Sequence, residues 1–269
     1  MSSPREADRV GTSTPTGVPR VAALWRYPVK SLQGESIAEA DIDEDGLRGD
    51  RGWGIRDEAT GRILTARREP RLLLASAVLT EEGQPEITVP DGQPMRGAGA
   101  HVDAALSAWL GRPVTLVPAQ GAPGGNAEYF ADATDDTSAA IEWTMPAGRF
   151  VDAMPLLVLT TASLRTGAEI YPAGDWHPRR FRPNVLVDVD GEGWIEDGWC
   201  GRTLGVGPVE VVPRQPCERC TMVTRPQPDL ERDLEIFKTL NRHHNATFGV
   251  WTQVSTTGTV RVGDPVVLS

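Results

Sequence analysis

Cys217-Glu218-Arg219-Cys220-Thr221-Met222-Val223-Thr224-Arg225-Pro226-Gln227-Pro228-Asp229 holds two of the chain's three cysteines, and the rest of the sequence is read outward from it. A CxxC pair is half of a zinc site, a redox dithiol, a thiolate ready for one softer metal, or simply two small buried hydrophobes. A structural zinc needs four ligands; Cys200, His243 and His244 are the candidates to complete one, at a spacing that matches no common finger. A thioredoxin-like dithiol opens a helix after a strand. Here TMVT (221–224) favours strand, and RPQPD (225–229) then breaks structure. Arg219 beside Cys220 favours its thiolate, which keeps a metal-bound sulfur chemically reasonable.

Two more clusters gather cations. Tyr27-Pro28-Val29-Lys30-Ser31 ends a strand on a Lys and a hydroxyl, and Gly49-Asp50-Arg51 follows. Lys30, Ser31 and Arg51 together offer a phosphate a point charge, a donor and a planar fork. Arg179-Arg180-Phe181-Arg182-Pro183-Asn184 packs three arginines into four residues before a strand. It reads either as a solvated basic edge or as a clamp in which Arg182 supplies charge and Asn184 paired hydrogen bonds. No GxxxxGK[ST], GxGxxG, HExxH or GxSxG occurs, and His101 and His177 stand alone. Asp132, Asp135 and Asp136 read as a solvated loop, and most tryptophans, Trp143 among them, as packing residues.

The background is acidic: 269 residues carry 37 Asp plus Glu against 27 Lys plus Arg, net −10. That argues against a nucleic-acid or anionic-membrane surface as the main partner. No apolar run approaches the ~20 residues of a membrane span. Three cysteines fit a reducing compartment better than a disulfide scaffold. Residues 1–18, rich in Ser, Thr, Pro and Gly, read as a disordered leader. Short strand-sized runs follow from Val21, with a hairpin signal between RGWGI and RILTA. HVDAALSAWLG has helical spacing. Residues 119–150 show little periodicity and read as a long loop at a domain junction. PLLVLT is a buried strand, TASLRTGAEI a helix with Thr161 as its cap, and LERDLEIFKTLNRHH an amphipathic helix using Leu230, Leu234, Phe237 and Leu240. The class is α+β and β-rich.

YPVKS, LRGDRGW, LTARREPRLL, RRFRPN, CERCTMVTRPQPD and VGDPVVL, in that order, resemble the MOSC superfamily, in the group containing the mitochondrial amidoxime-reducing component and its bacterial relatives. The resemblance covers about residues 19–269. It implies a smaller N-terminal β-barrel-like domain over 19–128 and a MOSC β-barrel-like domain over 129–269. Between them lies a molybdenum-pyranopterin cofactor (Mo-molybdopterin). It further implies Cys220 as molybdenum ligand and catalytic residue, Lys30, Ser31 and Arg51 at the pterin phosphate, and Arg182 and Asn184 at the pterin. Thr160, Thr161, Ser163 and Arg219 are expected around the same group, and Cys217 is expected to pack.

The activity implied is reduction of small N-hydroxylated compounds (amidoximes, hydroxylamines, N-hydroxylated bases) to amines, with electrons from a separate reductase. No iron–sulfur domain follows Ser269 and no membrane-targeting segment is seen, so a cytoplasmic protein is expected. Two alternatives are a persulfide carrier in cofactor or metal-sulfur biosynthesis and a non-catalytic cofactor-delivery protein. MOSC domains fused to cofactor sulfurases also bring pyridoxal phosphate binding into the implied vocabulary, although this chain shows no pyridoxal-phosphate domain.

Overall fold

The CERC segment finishes the strand Val209–Glu218, in which Val209, Val211 and Pro213 are buried on alternate positions. Pro213 and Pro216 cannot donate to a ladder, and the pairing with Thr247–Thr256 slips beside each of them. Cys217 nevertheless keeps the buried parity of Val209, Val211 and Pro213, and Cys220 is left partly exposed just past the strand. The computed structural model describes residues 17–120, 125–130, 132, 135 and 137–269. The expected leader and Asp136 therefore fall largely or wholly outside the described residues.

Val209–Glu218 belongs to an eight-stranded mixed sheet. Its order runs Val266–Leu268, Leu204–Val206, Val209–Glu218, Thr247–Thr256, Leu156–Thr160, Val185–Asp188, Arg20–Arg26 and Glu35–Ile37. Leu156–Thr160 is buried at every position, as an unbroken apolar run should be. It pairs in parallel with Val185–Asp188, and the helix Thr161–Ile170 lies between them in sequence. Arg20–Arg26 pairs antiparallel with Val185–Asp188, so the first strand of the chain completes a sheet built mostly from its second half. The first and last described strands also meet: Val21 N donates to Asp264 O at 2.9 Å and Val266 N to Pro19 O at 2.7 Å.

The first half adds three smaller sheets. Glu39–Asp43 pairs with Gly46–Leu47 and Gly258–Arg261, Trp53–Asp57 with Val114–Pro118, and Ser76–Leu79 with Pro85–Thr88 and then Met95–Arg96. The helix Ala100–Leu110 buries Val102, Leu106 and Leu110 against them and stops at Gly111, whose φ of 67° suits a residue without Cβ. Among the described residues no helix is long and apolar enough to cross a membrane.

Several local expectations are corrected. TMVT forms a 3-10 turn, Thr221–Thr224, because the chain must reverse after Cys220 before Asp233 opens the next helix. Thr160, not Thr161, caps its helix, its hydroxyl accepting from Ser163 N at 3.1 Å. The third helix starts at Leu234, which is exposed; Leu230 is buried but precedes the helix, and Ile236 joins Phe237 and Leu240 on its buried face. The 119–150 segment contains a hairpin, Asn126–Phe130 with Ala140–Thr144, and Trp143 is 48% exposed rather than packed.

Candidate functional site

The strand end at Tyr27, the turn at Arg51, the segment before Val185 and the CERC turn converge on one cleft. Lys30, Ser31, Arg51, Arg182, Asn184, Arg219 and Cys220 all line it. Three of them, Ser31, Arg51 and Arg182, hold left-handed backbone at φ of 70°, 50° and 55°. Such strain in residues with side chains collects where a surrounding structure forces a particular direction on them.

Tyr27 separates two of the cations. The Arg182 guanidinium lies 4.2 Å from its ring centroid and that of Arg51 4.8 Å. The Tyr27 hydroxyl donates to Pro183 O, and burial pushes its pKa up to about 12 despite both arginines. Arg51 is paired with buried Asp50 and also donates to Asn184 Oδ1 at 3.3 Å. Asn184 in turn accepts from Leu157 N and donates to Trp25 O, so its amide is fixed by the sheet. Arg182 donates Nη1 to Leu32 O at 2.7 Å, while its buried Nη2 has no partner. Burial and the neighbouring Arg51 lower its basicity to about 10.

Lys30 is buried, which lowers its pKa against the pull of Asp152. Its Nζ donates to Asp152 Oδ1 at 2.5 Å and to Phe150 O at 2.9 Å. Asp152 also takes Arg67 Nη2 at 2.9 Å and the Tyr129 hydroxyl at 2.8 Å. Burial would raise that carboxyl, but Arg67 and Lys30 hold it well below the usual carboxylate range. The Ser31 hydroxyl accepts from Ala66 N at 3.0 Å. Arg219 spends its guanidinium on the Phe181 and Phe248 carbonyls, so it fixes the CERC turn while its charge remains beside the cleft.

Cys220 is partly exposed, whereas Cys217 is 3% exposed and burial pushes its thiol up to about 11. The CERC motif thus holds one accessible sulfur and one inert one. Thr160, Thr161 and Ser163 do not line the cleft. Thr160 and Ser163 donate to buried Glu196, each at 2.6 Å, and Thr161 to Asp188 at 2.8 Å, so the structure places them in a capping network. No zinc set forms: among the described residues no three His, Cys, Asp or Glu side chains gather around one point. His244 is instead paired with Asp197 at 2.6 Å.

Sequence reading missed Arg67, Asp152, Met222 and Trp251, all of which line the cleft. Arg67 lay inside the LTARREPRLL match without a role. Asp152 sits in a stretch with no motif and is recruited by Lys30 and Arg67 only in three dimensions.

Five cations, Lys30, Arg51, Arg67, Arg182 and Arg219, face two carboxylates, Asp152 and Glu218, around this cleft in an otherwise acidic protein. An anion suits that surplus and the unpartnered Arg182 nitrogen. Comparison with known proteins agrees with the architecture. Residues 18–123 match the MOSC N-terminal beta barrel domain and residues 147–267 the MOSC domain. The chain is 29% identical to the mitochondrial amidoxime-reducing component 1 of Mus musculus, over 98% of this chain and 84% of that protein. It is 25% identical to the molybdenum cofactor sulfurase of Danio rerio, covering 85% of this chain but 31% of that protein. Among solved structures, the YUAD protein from Bacillus subtilis aligns over 93% of this chain and 94% of its own, with a TM-score of 0.46 and 12% identity. The chain belongs to the MOSC-domain proteins, with a MOSC N-terminal domain and a MOSC domain in one polypeptide.

Proposed function

We propose that the protein is a molybdenum-cofactor oxidoreductase that reduces N-hydroxylated compounds to amines with electrons from a separate reductase. The observation that carries this is the buried cation cleft, strained at Ser31, Arg51 and Arg182, with Cys220 as its accessible sulfur. The similarity to amidoxime-reducing components supports the substrate class. Lys30, Ser31, Arg51, Arg67 and Arg182 would hold the phosphate and pterin of the cofactor, and Cys220 would ligate its metal. Bound there, the cofactor would supply two-electron oxygen-atom transfer, which no side chain provides. The protein's own part is to keep these cations charged and aimed. Asp50 and Asp152 orient Arg51, Lys30 and Arg67, and Asn184 ties the cleft to the sheet. Reduction of R–NHOH to R–NH2 and water takes two electrons and two protons, and the partly open position of Cys220 gives substrate and solvent access.

Cys217 is poorly suited to carry persulfide, since its thiol is buried and weakly acidic. Of the sequence's two lysines, Lys30 is buried and paired with Asp152, and Lys238 lies on the surface paired with Glu235, away from the cleft lining. Metal analysis of protein produced in a cofactor-making host should give about one molybdenum per chain, with reduction of benzamidoxime by a chemical electron donor. Cys220→Ser should lose both, while Cys217→Ala keeps most of each. A folded, cofactor-supplied protein without molybdenum or turnover would refute the proposal.

A further inference from the structure

A second hollow shares Arg67, Asp152, Glu218, Arg219, Cys220 and Trp251 with the cation cleft. Its remaining wall comes chiefly from the hairpin, through Tyr129, Ile141 and Trp143. The hairpin's sequence sorts by alternation. NAEYF and AIEWT pair so that Ala127 faces Trp143 and Tyr129 faces Ile141, while Asn126 faces Thr144 and Glu128 faces Glu142. One side is therefore apolar, and the other carries the polar pairs Asn126–Thr144 and Glu128–Glu142 before the strands end at Phe130 and Ala140. The polar side is closed on itself. Thr144 donates to Asn126 Oδ1 at 2.9 Å, and Arg62 sits against Glu128 and Glu142 at 2.8 and 3.5 Å, cancelling their repulsion.

The apolar side is only half used. Ala127 is fully buried beside Met145 and Phe150, which anchors the root. Tyr129 is fixed by its hydrogen bond to Asp152, by Arg67 at 4.1 Å from its ring centroid and by an edge contact with Trp143 at 6.2 Å. Yet Ile141 and Trp143 remain 49% and 48% exposed. Two such side chains make a patch far below what a stable protein interface buries, but they suit a small-molecule hollow in which apolar walls meet a few polar groups. The charges differ from the cleft as well: two cations, Arg67 and Arg219, and two carboxylates, Asp152 and Glu218, line the hollow, so its lining is balanced where that of the cleft is not. An anion has no surplus of charge to answer there, and a neutral molecule does not need one.

We infer that this hairpin is the specificity-determining wall of the substrate site. Trp143 and Ile141, with Trp251, take the flat apolar body of a neutral substrate and leave its N-hydroxy end at Cys220. The inference rests on Cys220 marking the reacting centre. Its test compares benzamidoxime with acetamidoxime, which has the same reacting group without a ring, on cofactor-loaded wild type, Trp143→Ala, Ile141→Ala and Trp143→Phe. For Trp143→Ala, KM for benzamidoxime should rise about tenfold with kcat within about twofold, and acetamidoxime kinetics should stay put. Ile141→Ala should show a smaller change of the same kind, and Trp143→Phe should restore most of the loss. Equal effects on both substrates, or an unchanged KM for benzamidoxime, would overturn the wall. If wild type turns over neither compound, the proposed reaction fails, and the wall is judged by calorimetric binding of benzamidoxime. Binding about tenfold weaker in Trp143→Ala then supports it, whereas equal binding, or none in either protein, refutes it.

Discussion

Arg182 carries the sharpest tension in the molecule. It is 6% exposed, adopts left-handed backbone, neighbours Arg51 and leaves one guanidinium nitrogen unpartnered. A folding optimum would not place an arginine there, because an incompletely matched buried charge opposes stability. Arg182→Met should therefore leave the cofactor-free protein as stable or raise it by ~1 kcal/mol, read as the urea midpoint. The same variant should retain at least ~tenfold less molybdenum after purification. A stability loss with molybdenum retained would make Arg182 a structural residue. At this scale the sequence was legible where residue types cluster: Lys30, Ser31, Arg51, Arg182, Asn184, Arg219 and Cys220 all meet at one cleft. It was silent on Asp152, a lone acid whose partners lie 85 and 122 residues away. It also misdirected Thr160 and Ser163, whose true partner Glu196 is a buried acid 36 and 33 residues further on.

Among the elements, the helix Leu234–His244 ends in His244, stacked on Trp194 at 4.4 Å and bonded to Asp197. Burial opposes its charge, but Asp197 and the Thr247 carbonyl outweigh that and raise its pKa. The last turn of a helix favours a cation as well. Because the folded value lies above the unfolded one, the stabilisation is complete below the ordinary histidine pKa and fades as pH rises through the raised value. The difference in urea midpoint between wild type and His244→Gln should thus be largest below the ordinary histidine pKa and shrink as pH rises through the raised one. A pH-independent difference would assign His244 to packing alone. Helices and long strands were legible because their apolar spacing extends over several turns. The 3-10 turn after Cys220 and the hairpin at 126–144 were not. One is dictated by where the chain must go next, and the other has five-residue strands whose apolar side is left half bare.

Across the whole molecule, the strand Arg20–Arg26 ties the first half to the second. Leu24 is fully buried and belongs to the core of the eight-stranded sheet together with Val158, Val185 and Val250. Leu24→Ala should cost about 2–5 kcal/mol. Calorimetry should show one transition moving as a unit, whereas two transitions shifting independently would show that the halves unfold separately. The change of pattern near residue 119, on which the expected division into 19–128 and 129–269 rests, was legible. The return of Gly258–Arg261 to Glu39–Asp43 was not, since strand pairing across more than 200 residues leaves no trace in local periodicity.

That closure has a consequence for the order of the chain. Pro19 and Val266, and Val21 and Asp264, already hold the first and last described strands side by side through backbone hydrogen bonds. A short linker from Ser269 back to Val18, with new termini opened in the exposed turn between Leu79 and Pro85, would yield a circular permutant that keeps every strand neighbour and the whole cleft.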